Sequence, residues 1–568
     1  MSDLRFQQYL ARFHNARLNR RALVQRAAAA AVAVPAGAAL GAHRVGAAPL
    51  AAPRRQIDAK TLVIADDLRP GANWITFDPA WIYEINAAAG HCLNYEPLYD
   101  LPDSTKPDEF TPLLAADFPE VSEDGLEVII PLRSGVKFHS GNEMTADDVV
   151  FSWNRTKNIK YQPSFLATDY WSSVEAVDPL TIKINLVSQN AALVAILTSL
   201  PLAVTDSKLL KENGGTDAED ADQVDTAKEW FNAGNSAGTG PYRLTAWEIE
   251  NQIILEKNPD YWGEPAKLDR MIWRNVVDAN SQLQAVQAGE ADIAYSVDPD
   301  VAGSVTEDPN LQLISGPSLA IEYLAMHTQE DPGGPLANPT LRQALGYAID
   351  YDGIVNGLMS GAAIQPATIA PEPLPGTVEI QDKKYVTDLA RAQELFDEAG
   401  GGPLELTFSY GAGDVAEGGL DLETLCTKLQ ADLQQIEGLT IKLNPMDSGQ
   451  RLEQYRAGKL QMTIGPWTPD FPDVHAYAEP FGRTDTAAAG RVGYSNPEVD
   501  AALDAAIAES DPEARAAAYA DILSTIITDA PFLVLYQPIA QRPANKNVQD
   551  VQTHSVYQLY LRNASKSA

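Results

Sequence analysis

Residues 111–154 read TPLLAADFPEVSEDGLEVIIPLRSGVKFHSGNEMTADDVVFSWN, and this stretch combines two strong secondary-structure signals. The segment Leu126–Leu132 is rich in β-branched residues and follows a turn that ends at Gly125, which predicts a strand. Thr145 is followed three residues later by Asp148, just before an apolar run. That spacing is typical of a capping box and predicts that a helix begins here. A strand followed by a helix favours an α/β fold.

The rest of the chain repeats these two signals. Strands are predicted at Thr61–Ala65, Leu180–Leu186, Tyr242–Lys257, Arg270–Val276, Tyr323–Thr328, Leu404–Tyr410, Leu439–Leu443, Leu460–Ile464 and Phe532–Tyr536. Helices are predicted at Asn338–Met359, Leu389–Ala399, Leu422–Ile436, Pro497–Ala508 and Pro512–Thr528. Residues 404–467 alternate strand and helix, which indicates a parallel α/β unit. The Gly- and Asp-rich segment Asn213–Asp225 is predicted to be a surface loop.

Charge and size narrow the possible functions. The chain has 568 residues, with Lys+Arg 42 against Asp+Glu 77 and a formal net charge of −35. A field this negative repels phosphate backbones and anionic lipid surfaces, which disfavours nucleic-acid binding. At about 150 residues per domain, the length predicts about three domains or one large composite fold.

The first 56 residues have a different composition from the rest. They contain basic side chains almost without acids and an uncharged run, Ala27–Ala42, that is too short to span a bilayer. This pattern predicts an export signal, so residues 1–56 are interpreted as signal and leader and the mature protein as exported to the periplasm or cell surface. Arg20 and Arg21 resemble a twin-arginine signal, with a general-secretion signal as the alternative.

The two cysteines, Cys92 and Cys426, are more than three hundred residues apart. We interpret them as buried free thiols, and a disulfide between domains is the alternative. Neither of them directly follows the uncharged run, so the sequence offers no lipid-attachment cysteine there.

Four blocks carry a resemblance to a known family. The first is residues 111–154, with its Ser-Glu-Asp-Gly turn, its Leu-Arg-Ser-Gly-Val-Lys-Phe-His strand and its Thr-Ala-Asp-Asp-Val helix start. The others are Gly238–Gly263, Leu341–Asp350 and Gly465–Asp470 (Gly-Pro-Trp-Thr-Pro-Asp). In order and spacing they resemble the bacterial extracellular solute-binding proteins of the family that serves peptide, nickel and opine importers, over residues 60 to 540.

The resemblance implies a two-lobed, hinged periplasmic-binding-protein-like fold of type II, with an extra subdomain inserted in the first lobe. The first lobe would comprise residues 57–95, 238–316 and 531–568, and the insert residues 96–237. The second lobe would comprise residues 317–530. The chain would cross between the lobes near Gly316 and Pro531, and a ligand would be enclosed when the hinge closes.

The same resemblance implies the site residues. In peptide-binding members an acid at the position of Asp470 pairs with the ligand's α-amino group, and Trp467 walls that pocket. Backbone groups around Thr468 would bind an extended ligand, although Pro466 and Pro469 lack N–H donors. Further ligand contacts are expected at Tyr323, Tyr536, Tyr95, Trp81 and His475.

The predicted function is that of a receptor for an ABC importer, which binds a peptide and delivers it to the membrane permease as a monomer. A sugar or a nickel complex is the alternative ligand. We expect no metal, no cofactor and no catalysis. A secreted hydrolase is the competing class, but Ser236 in a Gly-x-Ser-x-Gly string is followed by a strand, whereas a nucleophile elbow is followed by a helix. We expect His139 to be structural.

Overall fold

The computed structural model describes residues 58–69, 74–83 and 87–567, which belong to one compact unit, Arg54–Ala568. The predicted export segment, residues 1–56, lies outside the described residues. Within those ranges, no helix is both long enough and apolar enough to cross a membrane.

The strands are β1 (Thr61–Asp66), β2 (Tyr99–Asp100), β3 (Thr111–Pro112), β4 (Glu120–Val121), β5 (Glu127–Pro131), β6 (Trp171–Asp178), β7 (Thr181–Leu186), β8 (Tyr242–Glu248), β9 (Gln252–Lys257), β10 (Arg270–Asn275), β11 (Ile293–Ala294), β12 (Leu311–Pro317), β13 (Ile321–Met326), β14 (Ala363–Ile364), β15 (Leu404–Gly411), β16 (Leu439–Met446), β17 (Met462–Trp467), β18 (Phe532–Asn545), β19 (Val548–Gln549), β20 (Gln552–His554), β21 (Gln558–Tyr560) and β22 (Ser565–Lys566).

The α-helices are α1 (Ala88–Asn94), α2 (Ala146–Ile159), α3 (Phe165–Thr168), α4 (Leu193–Ile196), α5 (Ser207–Glu212), α6 (Ala221–Val224), α7 (Ala227–Asn232), α8 (Ala279–Ala288), α9 (Pro299–Val305), α10 (Glu330–Gly333), α11 (Pro339–Ala348), α12 (Leu389–Glu398), α13 (Leu422–Leu433), α14 (Ser448–Arg456), α15 (His475–Gly482), α16 (Ala487–Arg491), α17 (Pro497–Ala508) and α18 (Pro512–Asp529).

The long strand β18 organises the largest sheet. The order of strands is β16-β15-β17-β13-β18-β11-β1-β10-β9-β8, and β12 and β14 also pair with β18. The first part of β18 pairs with β13, and its last residues pair with β11 and β12. One strand therefore joins the two halves of the sheet. The sheet is mixed, because β15 is parallel to β16 and β17 whereas β13 is antiparallel to its neighbours, and this confirms the parallel unit predicted for residues 404–467.

A second sheet has the antiparallel order β4-β5-β7-β6 and packs against α2. It contains the predicted strand of the opening stretch as β5. The capping box also forms. Asp148 Oδ2 accepts the Thr145 backbone N–H at 2.8 Å, and the Thr145 hydroxyl oxygen accepts the Asp148 backbone N–H. The strand and the helix start predicted from residues 111–154 are both confirmed.

Strand β13 is buried along its whole length. Successive side chains of a strand point to opposite faces, and here Tyr323 packs with Phe481 and Phe532 while Leu324 belongs to a different core cluster with Leu533. Glu322 therefore points to the same face as Leu324, into the protein interior.

The predicted strand Tyr242–Lys257 is wrong in one respect: it is a hairpin of β8 and β9. The turn contains Glu250 at φ 69, and no glycine or proline marks it. Because both arms bury Leu and Ile on one face, the alternation continues through the turn and hides it.

The predicted helix Asn338–Met359 is also wrong, because it breaks after α11. Ile349 is extended, and a π-helix follows at Gly353–Leu358. The Asp350 carboxylate accepts the Gly353 N–H at 2.9 Å and so satisfies a free donor at the start of the second segment. The predicted helix is therefore interrupted because Asp350 caps a new segment inside the continuous apolar pattern.

The surface-loop prediction for Asn213–Asp225 fails at Asp225. Its carboxylate and that of Asp78 both bind the Arg155 guanidinium of α2, at 2.8 Å and 2.6 Å, and all three side chains are buried. Bidentate pairing with two carboxylates offsets the cost of burying the guanidinium. Cys92 and Cys426 are both free, and Cys426 is buried whereas Cys92 is half-buried.

Candidate functional site

The antiparallel pair of β13 and β17 positions the candidate ligand site. Tyr323 lies opposite Gly465, and Ile321 lies opposite Trp467 at the end of β17. The chain then leaves the sheet through Thr468 and Pro469 and presents Asp470 in a loop. A side chain in a loop at the end of a packed strand is held by a rigid element while it remains accessible to a ligand.

Asp470 is the most distinctive group of this loop. Asp470 is half-buried, and burial raises the pKa of its carboxyl to about 6. Within the described residues, no basic nitrogen lies within ion-pairing distance of it, and the Tyr83 phenol lies beside it. A desolvated carboxylate without a cation gains free energy when it binds one.

Contacts from distant parts of the chain surround this loop. Ser199 Oγ donates a hydrogen bond to the Asp470 carbonyl oxygen at 3.1 Å. Tyr170 and Phe471 form an edge-to-face pair with 6.1 Å between ring centroids. Tyr83 is 40% exposed, so its ring borders solvent beside Asp470. Residues from the two halves of the sequence therefore meet around this loop.

Trp467 forms part of the same surface. Its indole is half-buried, packs edge-to-face on Phe481 at 5.0 Å between ring centroids, and donates from Nε1 to the Ala476 carbonyl oxygen at 3.3 Å. Thr468 is half-buried beside it. The structure thus brings Trp467, Thr468 and Asp470 together, and it adds Tyr83, which was not predicted from the sequence.

Tyr323 and Tyr536 lie behind this surface in the core. The Tyr323 hydroxyl is 3.2 Å from the hydroxyl of Tyr455, and the Tyr536 hydroxyl donates to the Glu417 carbonyl oxygen at 2.8 Å. Both side chains are almost completely buried. Both tyrosines therefore link neighbouring segments of the chain through their hydroxyls. Tyr536 does so with the loop that contains Glu417.

Tyr95, Trp81 and His475 make their contacts elsewhere. Tyr95 is buried and donates to the Phe77 carbonyl oxygen at 2.7 Å. Trp81 packs against Tyr161 and lies 4.0 Å from Lys228 Nζ. His475 Nδ1 is 3.0 Å from the Tyr519 hydroxyl, and burial lowers the pKa of His475 to about 4. The structure does not bring these three side chains to Asp470.

A separate cavity has a volume of about 300 Å³. Its walls come from residues 295–297, from the loop 415–419 and from residues 538–542 of β18. Glu417 lines it, and burial raises the pKa of Glu417 to about 7. Beneath the loop, Glu322 Oε2 accepts the Glu417 N–H at 3.0 Å.

Glu322 is completely buried, and burial raises its pKa to about 8. Glu322 was not among the residues predicted from the sequence. The available signal was an acid at a core-facing position of the otherwise apolar strand Ile321–Met326.

Ser236 and His139 form a polar contact in a different part of the chain. Ser236 Oγ lies 2.6 Å from His139 Nδ1 and 2.8 Å from Asn94 Oδ1, and His139 Nε2 lies 2.9 Å from the Gly240 carbonyl oxygen. No carboxylate is hydrogen-bonded to this imidazole within the described chain, and α7 precedes Ser236 while β8 follows it. The arrangement differs from a nucleophile elbow and ties three backbone segments together.

The described ranges contain no group of three or more His, Cys, Asp or Glu side chains that could hold a metal ion. Neither Asp470 nor Glu417 therefore belongs to such a group. A single carboxyl group can bind a cation or donate and accept hydrogen bonds.

The model of the bacterial extracellular solute-binding proteins, family 5, matches residues 109–489, more than half of the chain. The chain belongs to this family. The resemblance inferred from the four sequence blocks is thereby confirmed, and so is the solute-binding class of function.

Relatives of this family 5 protein include the Escherichia coli (strain K12) protein DdpA, described as a probable D,D-dipeptide-binding periplasmic protein. It is 27% identical over 432 residues, which cover 76% of this chain and 80% of the relative. The glutathione-binding protein GsiB of Pectobacterium atrosepticum is 31% identical over 438 residues, which cover 74% of this chain and 79% of the relative.

A solved structure shares the fold. The periplasmic binding protein DppA of Helicobacter pylori, in complex with the peptide STSA, superposes with a TM-score of 0.71 and 23% identity, over 89% of this chain and 98% of that chain. The predicted fold class, a periplasmic-binding-protein-like α/β fold, is therefore confirmed.

Proposed function

We propose that this family 5 protein binds peptides with a free α-amino group and delivers them to an ABC importer in the membrane. Asp470 would anchor the ammonium, and Trp467, Thr468 and Tyr83 would border it. The observation that carries the proposal is the desolvated Asp470 carboxylate, which lies beside Tyr83 without a cation within the described residues. The names of the relatives, which refer to dipeptides and glutathione, support the peptide class.

The charge of the site favours a cationic ligand group over a neutral sugar. A neutral ligand would leave the desolvated carboxylate without a counter-charge, which costs free energy. Every peptide with a free N-terminus presents an ammonium whatever its side chains are. Pro466 and Pro469 offer no N–H, so backbone recognition here would depend on their carbonyl oxygens and on Thr468.

We further propose that the chain works as two lobes with the boundaries stated above and with crossings near Gly316 and Pro531. The continuous strand β18 would then be one of the connections that bend. Ligand would favour the closed form through contacts that exist only there. Export to the periplasm or cell surface as a monomer is part of this proposal, as is the absence of catalysis.

Calorimetric titration with Ala-Ala and with N-acetyl-Ala-Ala tests the proposal. We expect the free-amine peptide to bind and the acetylated one to bind at least about thirtyfold more weakly, because acetylation removes the charge that Asp470 would pair with. Equal binding of the two peptides, or binding of neither across a panel of di- and tripeptides, would refute it. Hydrolysis of any panel member would refute the non-catalytic role.

A further inference from the structure

The cavity beside Glu417 is large enough to receive part of a ligand. Its volume of about 300 Å³ is at the lower end of the range of small-molecule sites, ~300–1,000 Å³. It is bounded by the Glu417 loop on one side and by Ser296 and Arg542 on others. The loop also closely approaches a segment that is distant in the sequence, because a Cβ at Gly419 would lie 3.5 Å from the Val297 carbonyl oxygen.

Two carboxylates converge on this loop without an ion pair. Glu417 lines the cavity, and Glu322, which is 0% exposed, accepts the Glu417 N–H with Oε2. Within the described residues, Glu322 Oε1 is buried and has no hydrogen-bond partner. A buried carboxylate oxygen without a partner costs free energy unless a ligand satisfies it or a proton neutralises it.

The nearby arginines make hydrogen bonds to other groups, although the Nε atoms of Arg451 and Arg542 have no hydrogen-bond partner within the described residues. Arg542 donates to the Gln541 carbonyl oxygen at 2.9 Å and to Gln558 Oε1 at 2.8 Å, and its guanidinium lies 4.8 Å from the centroid of the Tyr295 ring. Arg451 donates to the Ile464 carbonyl oxygen at 3.1 Å. In the described chain neither arginine forms an ion pair with Glu417 or Glu322. Burial outweighs the opposing charge of Arg542 and raises the pKa of Glu417. Glu417 is therefore the carboxylate that can meet a cation in the cavity, whereas Glu322 is closed off from solvent.

Tyr477 lies near both this cavity and Asp470, the proposed partner of the ligand's α-ammonium group. Its hydroxyl donates to the carbonyl oxygen of Leu319, which directly follows the cavity-lining Ser318. Burial, followed by the charges of Asp470 and Glu417, raises the pKa of Tyr477. Both carboxylates therefore lie within electrostatic range of one phenol.

We propose that the Glu417 cavity binds a second cationic group of the ligand, so that the preferred substrates are peptides with a basic side chain in addition to the free amine. Glu417 would contact the cation directly, and Glu322 would act as a positioning residue through the Glu417 backbone. This inference rests on the proposed function, since it assumes that Asp470 holds the α-ammonium.

The test compares ligands that differ by a single charge. Ala-Lys and Ala-Ala-Lys are titrated against their norleucine analogues and against their Nε-acetyl-lysine analogues, on wild-type protein and on Glu417→Gln. In the wild type we expect the affinity of each lysine peptide that binds to be at least about tenfold higher than the affinities of its two neutral analogues. In Glu417→Gln we expect that ratio to fall to about two or less, because the counter-charge is gone. The exposed residue Glu453 provides a matched control, and Glu453→Gln should keep the wild-type ratio.

The number of protons released on ligand binding provides a second test, and this measurement needs no variant. A partly protonated Glu417 should release its proton when an ammonium binds, so titrations at pH 7 in buffers of different ionisation enthalpy should show more proton release with Ala-Lys than with the norleucine peptide. Norleucine peptides that bind as tightly as lysine peptides, or a ratio that survives in Glu417→Gln, would overturn this inference while the amine-anchor function stands. Failure of all free-amine peptides to bind would overturn both.

Discussion

The Tyr83 phenol lies beside the Asp470 carboxylate, although the two residues are far apart in the sequence. The same loop meets Ser199, whose hydroxyl donates to the Asp470 carbonyl oxygen at 3.1 Å. Asp470 is therefore enclosed by segments that the sheet and its crossing strand bring together. Its environment gives the charged carboxylate a burial cost that a ligand cation would offset.

Asp470→Asn should weaken the binding of a free-amine peptide by roughly 30- to 3000-fold. Removing one partner of a desolvated charge pair costs about 2–5 kcal/mol, whereas an exposed pair contributes about 0–1 kcal/mol. Titration calorimetry measures the change. N-acetylation of the peptide should add little further loss in the variant, and Glu453→Gln serves as the surface control. Binding within about threefold of wild type would show that Asp470 is not the amine anchor.

Peptide affinity should depend on pH through the same carboxyl. Since burial raises the pKa of Asp470 to about 6 in the ligand-free protein, the carboxylate is charged above that pH and neutral below it. A peptide ammonium stays charged up to about pH 8. Affinity should thus be highest between about pH 6 and about pH 8. Below pH 6 it should decrease, with a slope that approaches about tenfold per pH unit. Titrations at several pH values test this, and Asp470→Asn should lack the acidic fall.

The same variant should make the ligand-free protein more stable at pH 7. The folded-state pKa of Asp470 is raised from 3.8 to about 6, so between these values the folded state binds more protons than the unfolded state and stability decreases as pH rises. Above pH 6 the charged carboxylate lowers the free energy of unfolding by its full desolvation cost. Asparagine carries no charge and avoids this cost, so we expect the free energy of unfolding to increase by about 1–3 kcal/mol. Thermal unfolding without ligand tests this, and a lower Tm for the variant would contradict it.

Ligand binding should make the molecule more compact. The proposed crossings near Gly316 and Pro531 imply that ligand favours a closed state through contacts that it makes only there. Small-angle X-ray scattering should show a smaller radius of gyration at saturating peptide, and the Asp470→Asn variant at the same peptide concentration is the matched control. An unchanged radius in the wild type would indicate a rigid protein that is already closed.

Export should require the paired arginines of the leader. Arg20 and Arg21 stand before an uncharged run in the sequence, and replacement of both by lysine keeps the charge but removes the twin-arginine pair. We expect the precursor to accumulate in the cytoplasm, which fractionation and immunoblotting would detect. Normal export of the Lys-Lys variant would favour the general-secretion route.

The sequence by itself determined the local elements and the family. Thr145 and Asp148 define the start of a helix because a cap depends on residues only three positions apart. The alternation of strand and helix over residues 404–467 predicted parallel strands for a similarly local reason. The order of four blocks gave the family, and the Gly465–Asp470 block gave the loop that carries Asp470.

Only the tertiary structure decided what surrounds that loop. Tyr83, Glu322 and Glu417 come from three separate segments, and no spacing in the sequence relates them. Tyr323 and Tyr536 are aromatic residues at expected positions, yet packing buries their hydroxyls behind the cleft. Burial and charge environment depend on long-range contacts, so the sequence could name a carboxylate at position 470 but not its raised pKa, its neighbour Tyr83 or the second pair of acids nearby.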